Sequence, residues 1–384
     1  VEASLEINTK LPKVGDSIFS KMTEAAIQED ALNLAQGFPD FDPDSRLKRA
    51  VSKSMTAGYN QYAPMAGYLP LRESIAAKIE MIHGASYHPE TEITITPGAT
   101  SAIYTAITSV IREEDEVIIL EPVYDCYAPA IELNGGRPIR VELEYPNYSI
   151  NWEDVKKVIS YRTKMIIINS PHNPTGAILK EEDIAELTKL VNNTDILILS
   201  DEVYEHIVFD EKEHLSIAKY PDLASRAFVV SSFGKSYHCT GWKMGYVVAP
   251  QSLTSAFRKV FQFNQFSVAT PFQVGFNEIL QHRDLYFGLA SFYEEKRNLF
   301  ASAVEASRFK IMSCEGSYFQ LLDYSAITDE KDVDFAMRMT KEFKLASIPV
   351  SVFYRSGVDH QVLRFCFAKS EKVLKQAGDI LCKI

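Results

Sequence analysis

Between Glu92 and Ser232 the chain repeats one unit, a short run of apolar residues followed by a stretch of helical periodicity. The runs are ITIT, EVIILEP, RPIRVEL, MIIIN, ILILS and FVVSS, with helical segments between several of them. A strand that is apolar on consecutive residues has both faces buried, and helical connections let such strands lie parallel. The pattern predicts an α/β fold: a mainly parallel sheet covered by helices on both faces. At 384 residues the chain has room for this large domain and a smaller companion.

Charge and composition exclude several functions. A net charge of −11 with no cationic stripe does not suit a nucleic-acid partner. No apolar run approaches the roughly 18 residues of a membrane span, and the polar start VEASLEINTK lacks the apolar core of a signal peptide. The five cysteines, Cys126, Cys239, Cys314, Cys366 and Cys382, are scattered and include no CxxC pair. Free thiols in a reducing compartment, the cytoplasm by default, are the expectation. The eight histidines form no HExxH pair and none lies at ligand spacing from a cysteine, so no metal site is expected.

Open α/β sheets place their chemistry just past the carboxyl ends of the strands, and the polar residues there are the informative ones. Ser232 and Lys235 follow FVVSS in the stretch SSFGKSYHCTGWKMGY. A lysine in such a loop, desolvated by a neighbour such as Trp242, is a candidate amine nucleophile toward a carbonyl; the alternative is a solvated loop lysine. Asp201 ends the buried run ILILS, where a carboxylate is costly without a cation or a set of donors. A protonated pyridine nitrogen would be such a cation, whereas a helix N-cap for Glu202 onward is the structural alternative.

Gly98, Ala99 and Thr100 open a helix expected over Ser101 to Ile111, and their free N–H groups suit a phosphate. Asn173 lies in the double-proline turn SPHNPTG, and Tyr204 follows Asp201 by three residues. Gly37 in NLAQGFPDF could let backbone approach a ligand or could simply be a turn glycine. Tyr62 and Tyr68 are loop aromatics ahead of a helix from Leu69. Arg364 lies in the apolar run VLRFCF and needs an anion, either a ligand carboxylate or a structural ion-pair partner.

A lysine for an imine, an aspartate for a pyridinium, an asparagine and a tyrosine for a phenolic oxygen, and a helix N-terminus with Ser232 and Lys243 for a phosphate together fit pyridoxal 5'-phosphate. The motifs AQGFPDF, NQYAPMAG, PGAT, EPVYDCY, NSPHNPTG, SDEVYEH, SSFGKSYHCTGWKMGY and LRFCFAK also resemble, in order and over nearly the whole chain, those of class I/II aminotransferases of the aspartate-aminotransferase fold, fold type I. The resemblance is nearest to the kynurenine, methionine and glutamine aminotransferase subgroup.

The resemblance implies that Lys235 forms the Schiff base and moves the substrate's α-proton, that Asp201 keeps the pyridine nitrogen protonated, and that Asn173 and Tyr204 meet the phenolic oxygen. Tyr124 would stack on the ring, and Ala99, Thr100, Ser232 and Lys243 would hold the phosphate. Tyr62 would reach the phosphate of a neighbouring subunit, which implies a homodimer with shared sites. Gly37, Asn173 and Arg364 would take the substrate carboxylate, with Phe19 and the partner's Phe266 walling the side-chain pocket. Residues 46–285 would form the large domain. Residues 1–45 and 286–384 would supply an arm and a small α+β domain that closes over the substrate.

The implied reaction is ping-pong transfer of an amino group from an L-amino acid such as methionine, glutamine, an aromatic amino acid or kynurenine to a 2-oxo acid. Alternatives are a carbon–sulfur β-lyase acting on cysteine conjugates or cystathionine, and a non-catalytic binding protein on the same fold. Two positions depart from many relatives: Lys243 stands where they have arginine and Gly234 where they have serine, which puts the number and rigidity of the phosphate contacts in doubt.

Overall fold

The computed structural model describes residues 9–12 and 14–384. Its strands are β1 (Leu32–Asn33), β2 (Ile93–Thr96), β3 (Glu116–Glu121), β4 (Arg137–Glu142), β5 (Thr163–Asn169), β6 (Leu197–Asp201), β7 (Ala227–Ser232), β8 (Gly245–Val248), β9 (Lys310–Ile311), β10 (Phe319–Asp323), β11 (Leu345–Ala346), β12 (Ile348–Pro349) and β13 (Val362–Cys366). Seven of them form the main sheet in the order β2-β8-β7-β6-β5-β3-β4. From β7 across to β4 every pairing is parallel. All six apolar runs read from the sequence are strands of this sheet.

The strand that the sequence reading missed is β8, which runs antiparallel between β2 and β7. It has four residues and starts on a glycine, directly after the polar loop that carries Lys235 and Lys243. The glycine is required by close approach: a Cβ on Gly245 would lie 2.7 Å from the Ser231 carbonyl oxygen and 3.1 Å from the Ala99 nitrogen. Through β8 the chain brings Lys243 back beside the loop that follows β2.

Ile118, Ile166, Ile168, Ile198, Leu199, Phe228 and Val230 are buried in the middle strands. Each large aliphatic or aromatic side chain removed from water there contributes about 1.5–3 kcal/mol. The helices that cover the sheet include Ala99–Val110, which starts two residues earlier than the periodicity predicts, on a Gly98 cap with φ 83°.

Register sets the site. Asn169 pairs with Asp201, and Asp201 pairs with Val230 two residues before Ser232. The carboxyl ends of β5, β6 and β7 therefore stand side by side, as the strand-end argument requires. Downstream, β12-β13-β10-β9 form an antiparallel sheet. Strand β1 pairs in parallel with β11, fixing the N-terminal segment to the C-terminal part of the chain. The helix Ile18–Gln28 is capped by Ser17, whose hydroxyl accepts from the Phe19 N–H at 3.3 Å.

Candidate active site

A cavity of about 690 Å³ opens at the carboxyl edge of β5, β6 and β7, and its walls include Ala99, Thr100, Tyr124, Asn173, Asp201, Tyr204, Ser232, Lys235 and Lys243. Lys235 lies on a one-turn helix, Phe233–Ser236, not in an open loop as expected. Its ammonium donates to Tyr318 Oη at 2.8 Å and to the Gly37 carbonyl oxygen at 3.1 Å. Burial lowers its pKa to about 8, so about a tenth of the amine is uncharged at pH 7, far more than for an ordinary lysine. Trp242 does not cause this. It packs on Phe272 and Phe276, while the rings near the amine are Tyr204 and Tyr318.

Asp201 ends β6, and burial pushes its carboxyl up to about 6. Tyr127 donates its hydroxyl to Oδ2 at 2.6 Å, and the Val203 N–H reaches Oδ1 only at 3.4 Å. No helix follows it, so the N-cap alternative fails. No lysine or arginine pairs with it among the described residues. A buried carboxylate in that position is stabilised by a cation arriving from the cavity, and a protonated ring nitrogen fits.

At the cavity's other end the helix Ala99–Val110 presents its free N–H groups. A Cβ on Gly98 would lie 3.4 Å from Lys243 Nζ, so the ammonium sits over the helix N-terminus. Lys243 itself has φ 50°. Cation and helix dipole converge on one point, which is an anion site.

Arg364 on β13 is 1% exposed. Its Nη1 donates to Asn173 Oδ1 and its Nη2 to the Ala35 carbonyl oxygen, both at 2.8 Å, while Nε has no partner. The guanidinium lies 4.0 Å from the centroid of the Phe319 ring, with Phe19 and Phe353 beyond. Burial lowers its pKa to about 10. No carboxylate pairs with it among the described residues, so the structural ion pair is absent, and Nε–H with the N–H groups not given to Asn173 and Ala35 is left for a ligand carboxylate. Gly37 packs so tightly that a Cβ would lie 2.8 Å from Phe319 Cζ.

Tyr62 and Phe266 are not part of this group. They are 81% and 54% exposed and stack edge-on with ring centroids 5.3 Å apart.

The aminotransferase class I and II family profile matches residues 29–381. The chain belongs to the class I and II aminotransferases. It is 44% identical to the methionine aminotransferase of Escherichia coli, over 97% of each chain, and 31% identical to human kynurenine–oxoglutarate transaminase 1, over 94% of each. A solved Escherichia coli structure described as having a methionine aminotransferase function superposes with TM-score 0.97 at 43% identity, covering 99% of this chain and 100% of that one. N-succinyldiaminopimelate aminotransferase from Mycobacterium tuberculosis superposes with TM-score 0.95 at 31% identity, over 98% and 100%.

In this aminotransferase several residues of the site escaped the sequence reading. Tyr127 stands three positions after Tyr124 in EPVYDCY and begins the helix Tyr127–Leu133, in the same loop after β3 that supplied Tyr124, which could have marked it. Asn169, the last residue of β5, donates to the Asp201 carbonyl oxygen at 2.9 Å and accepts from the Asn173 N–H at 2.8 Å. Tyr318, Phe319 and Phe353 carry no local signal, because their partners are distant in sequence.

Proposed function

We propose that this aminotransferase holds pyridoxal phosphate in the cavity at the strand ends and moves the amino group of amino acids with uncharged side chains, methionine foremost, to a 2-oxo acid. One observation supports the cofactor above the rest: Lys235, Asp201, and Lys243 with the helix N-terminus beside it face a single cavity. When bound there, the cofactor supplies an electron sink for the bond to the α-hydrogen. Lys235 would hold and move the α-proton, and Asp201 would hold the proton on the ring nitrogen. Asn173 and Tyr204 would orient the phenolic oxygen, Tyr124 would cover the ring, and Ala99, Thr100, Ser232 and Lys243 would hold the phosphate.

Arg364, with Asn173 and Gly37, would orient the substrate carboxylate. Methionine as donor comes from the Escherichia coli relative, and the surfaces around Arg364 agree with it. They are the rings of Phe19, Phe319 and Phe353, which suit apolar side chains better than a second carboxylate.

The reading includes a homodimer. The exposed pair of Tyr62 and Phe266 is a surface that a second copy would cover, bringing Tyr62 to the neighbour's phosphate and Phe266 to its side-chain pocket. Residues 1–45 and 286–384 would close over the substrate as a small domain on residues 46–285. The five unpaired cysteines fit a reducing compartment, the cytoplasm, and no helix among the described residues is long and apolar enough to cross a membrane.

A panel of amino donors with several 2-oxo acids tests the reading. Methionine and aromatic donors should give higher kcat/KM than aspartate. Faster turnover of aspartate would overturn the substrate class, and release of a thiol and pyruvate from a cysteine conjugate without amino transfer would favour the β-lyase.

A further inference from the structure

Tyr318 has no exposure to solvent and no partner near it in sequence, yet its hydroxyl sits between two parts of the site. It donates to the Gly37 carbonyl oxygen at 2.6 Å and accepts from Lys235 Nζ at 2.8 Å, and Lys235 Nζ also donates to the same carbonyl at 3.1 Å. The three groups form a closed triangle. The next residue, Phe319, lies under the Arg364 guanidinium at 4.0 Å and against Gly37. Two adjacent residues at the start of β10 thus touch the reactive lysine, the carboxylate-binding arginine and the Gly37 segment.

An uncharged lysine amine has two N–H bonds and one lone pair. With one hydrogen directed at Tyr318 Oη and the other at the Gly37 carbonyl, the lone pair is turned away from both. A base whose two hydrogens are held by fixed acceptors is oriented before it accepts a proton, and this removes a conformational search from the transfer step. Tyr318 can fill this role because its own hydrogen is committed to Gly37, which leaves its oxygen as the acceptor toward Lys235. Burial keeps the phenol far above its usual pKa, so it stays neutral and hydrogen-bonded throughout.

We infer that Tyr318 is a positioning residue for transamination: it holds the Lys235 amine, once released from the cofactor, with its lone pair toward the substrate's α-carbon. Through Gly37 the same hydroxyl links that orientation to the segment proposed to meet the substrate carboxylate. The inference rests on the proposed function and adds to it a residue with no role in the family resemblance.

The test is Tyr318→Phe, read in four ways. With methionine as donor, kcat should fall about tenfold or more while KM changes little, because the lost contact acts on the proton transfer. The isotope effect with α-deuterated methionine should rise, since the misoriented amine makes that transfer slower than the other steps. A residue that only packs the core would leave the isotope effect where it was. In the full chain without cofactor, the pH dependence of Lys235 acetylation should move to lower pH, because the ammonium has lost an acceptor. The cofactor absorbance should remain.

If Tyr318→Phe proves too unstable to purify, 4-fluorophenylalanine at position 318, which fills the hydroxyl's place without its hydrogen, carries the same isotope-effect measurement. An unchanged isotope effect together with an unchanged acetylation profile overturns the inference. Wild-type protein that transfers no amino group from any donor would instead overturn the proposed function, while the acetylation profile would still report on Tyr318.

Discussion

Replacing Lys78 with methionine isolates one charge behind the site. The turn that follows β6 presents Asp201 and Tyr204 to the cavity, while Glu202 and Glu205 point into a buried polar layer on the other side. Lys78 Nζ lies 2.8 Å from Glu205 Oε1, with both side chains 6% exposed. The Ser231 and Tyr246 hydroxyls also donate to Glu205, and His83 and His206 lie 3.8 and 3.7 Å from it. Burial alone would raise the Glu205 carboxyl, but the Lys78 ammonium, with His206 and His83, overrides burial and holds it well below its usual value. Burial alone would likewise lower Lys78, and Glu205 reverses that.

Lys78→Met leaves a buried carboxylate without its ammonium partner. Removing one partner of a buried pair costs about 3–5 kcal/mol. For a chain of 384 residues the unfolding entropy is about 0.8 kcal/mol/K at the usual 2.1 cal/mol/K per residue, so the melting temperature should fall by about 4–6 °C.

The sign with pH is fixed as well. A carboxyl held below its unfolded pKa adds stability that is present above that value and lost as pH falls through the folded pKa. Lys78→Met abolishes that contribution, so its cost is greatest near pH 8. It shrinks toward pH 5 as Glu205, no longer held down by the ammonium and pushed up by burial, takes up a proton. Thermal melts of both proteins at pH 8, 7 and 5 measure this. A penalty independent of pH, or none, would refute the argument; Lys78→Met combined with Glu205→Gln should recover most of the loss.

Three further outcomes follow from the site. Arg364→Lys keeps the charge but loses the fork, so kcat/KM for every donor should fall about tenfold or more with cofactor absorbance and melting temperature nearly unchanged; equal kinetics would make Arg364 structural. Asp201→Ala should retain some cofactor but lose most turnover, and near-normal rates would show that its bond from Tyr127 serves only the fold. Tyr62→Phe and Lys235→Ala, each impaired alone, should regain activity when mixed and allowed to exchange subunits; failure to do so after exchange is shown by mass spectrometry would count against Tyr62 acting across the dimer.

Most of what the sequence revealed comes from interactions local to the chain. Six strands were legible because burial on both faces makes consecutive residues apolar, and their polar last residues gave Asp201, Ser232 and, just beyond, Lys235. Strand β8 was not, because Gly245, there for the backbones it passes, shortens its apolar run to three residues, Tyr246 to Val248. Tyr127 and Tyr318 were missed for another reason. Their decisive partners, Asp201 and Lys235, are 74 and 83 residues away, and an isolated tyrosine in an apolar context reads as core. Trp242 illustrates the converse error, since nearness in sequence to Lys235 did not make it a neighbour of the amine.

The bonds of Arg364 to Ala35 and Asn173 span 329 and 191 residues, and this separation has a consequence for how the protein is made. The walls of the main cavity lie between Gly98 and Met244, so a ribosome has produced all of them while more than a hundred residues are still to come. Synthesis runs from the N-terminus at about 5–20 residues per second, which leaves several seconds in which a growing chain could gather the residues proposed to face the cofactor but lacks the arginine proposed to hold the substrate carboxylate. On the proposed roles, chemistry on substrate waits for β13, and a message broken ahead of this arginine's codon would yield a chain without the group that orients the donor.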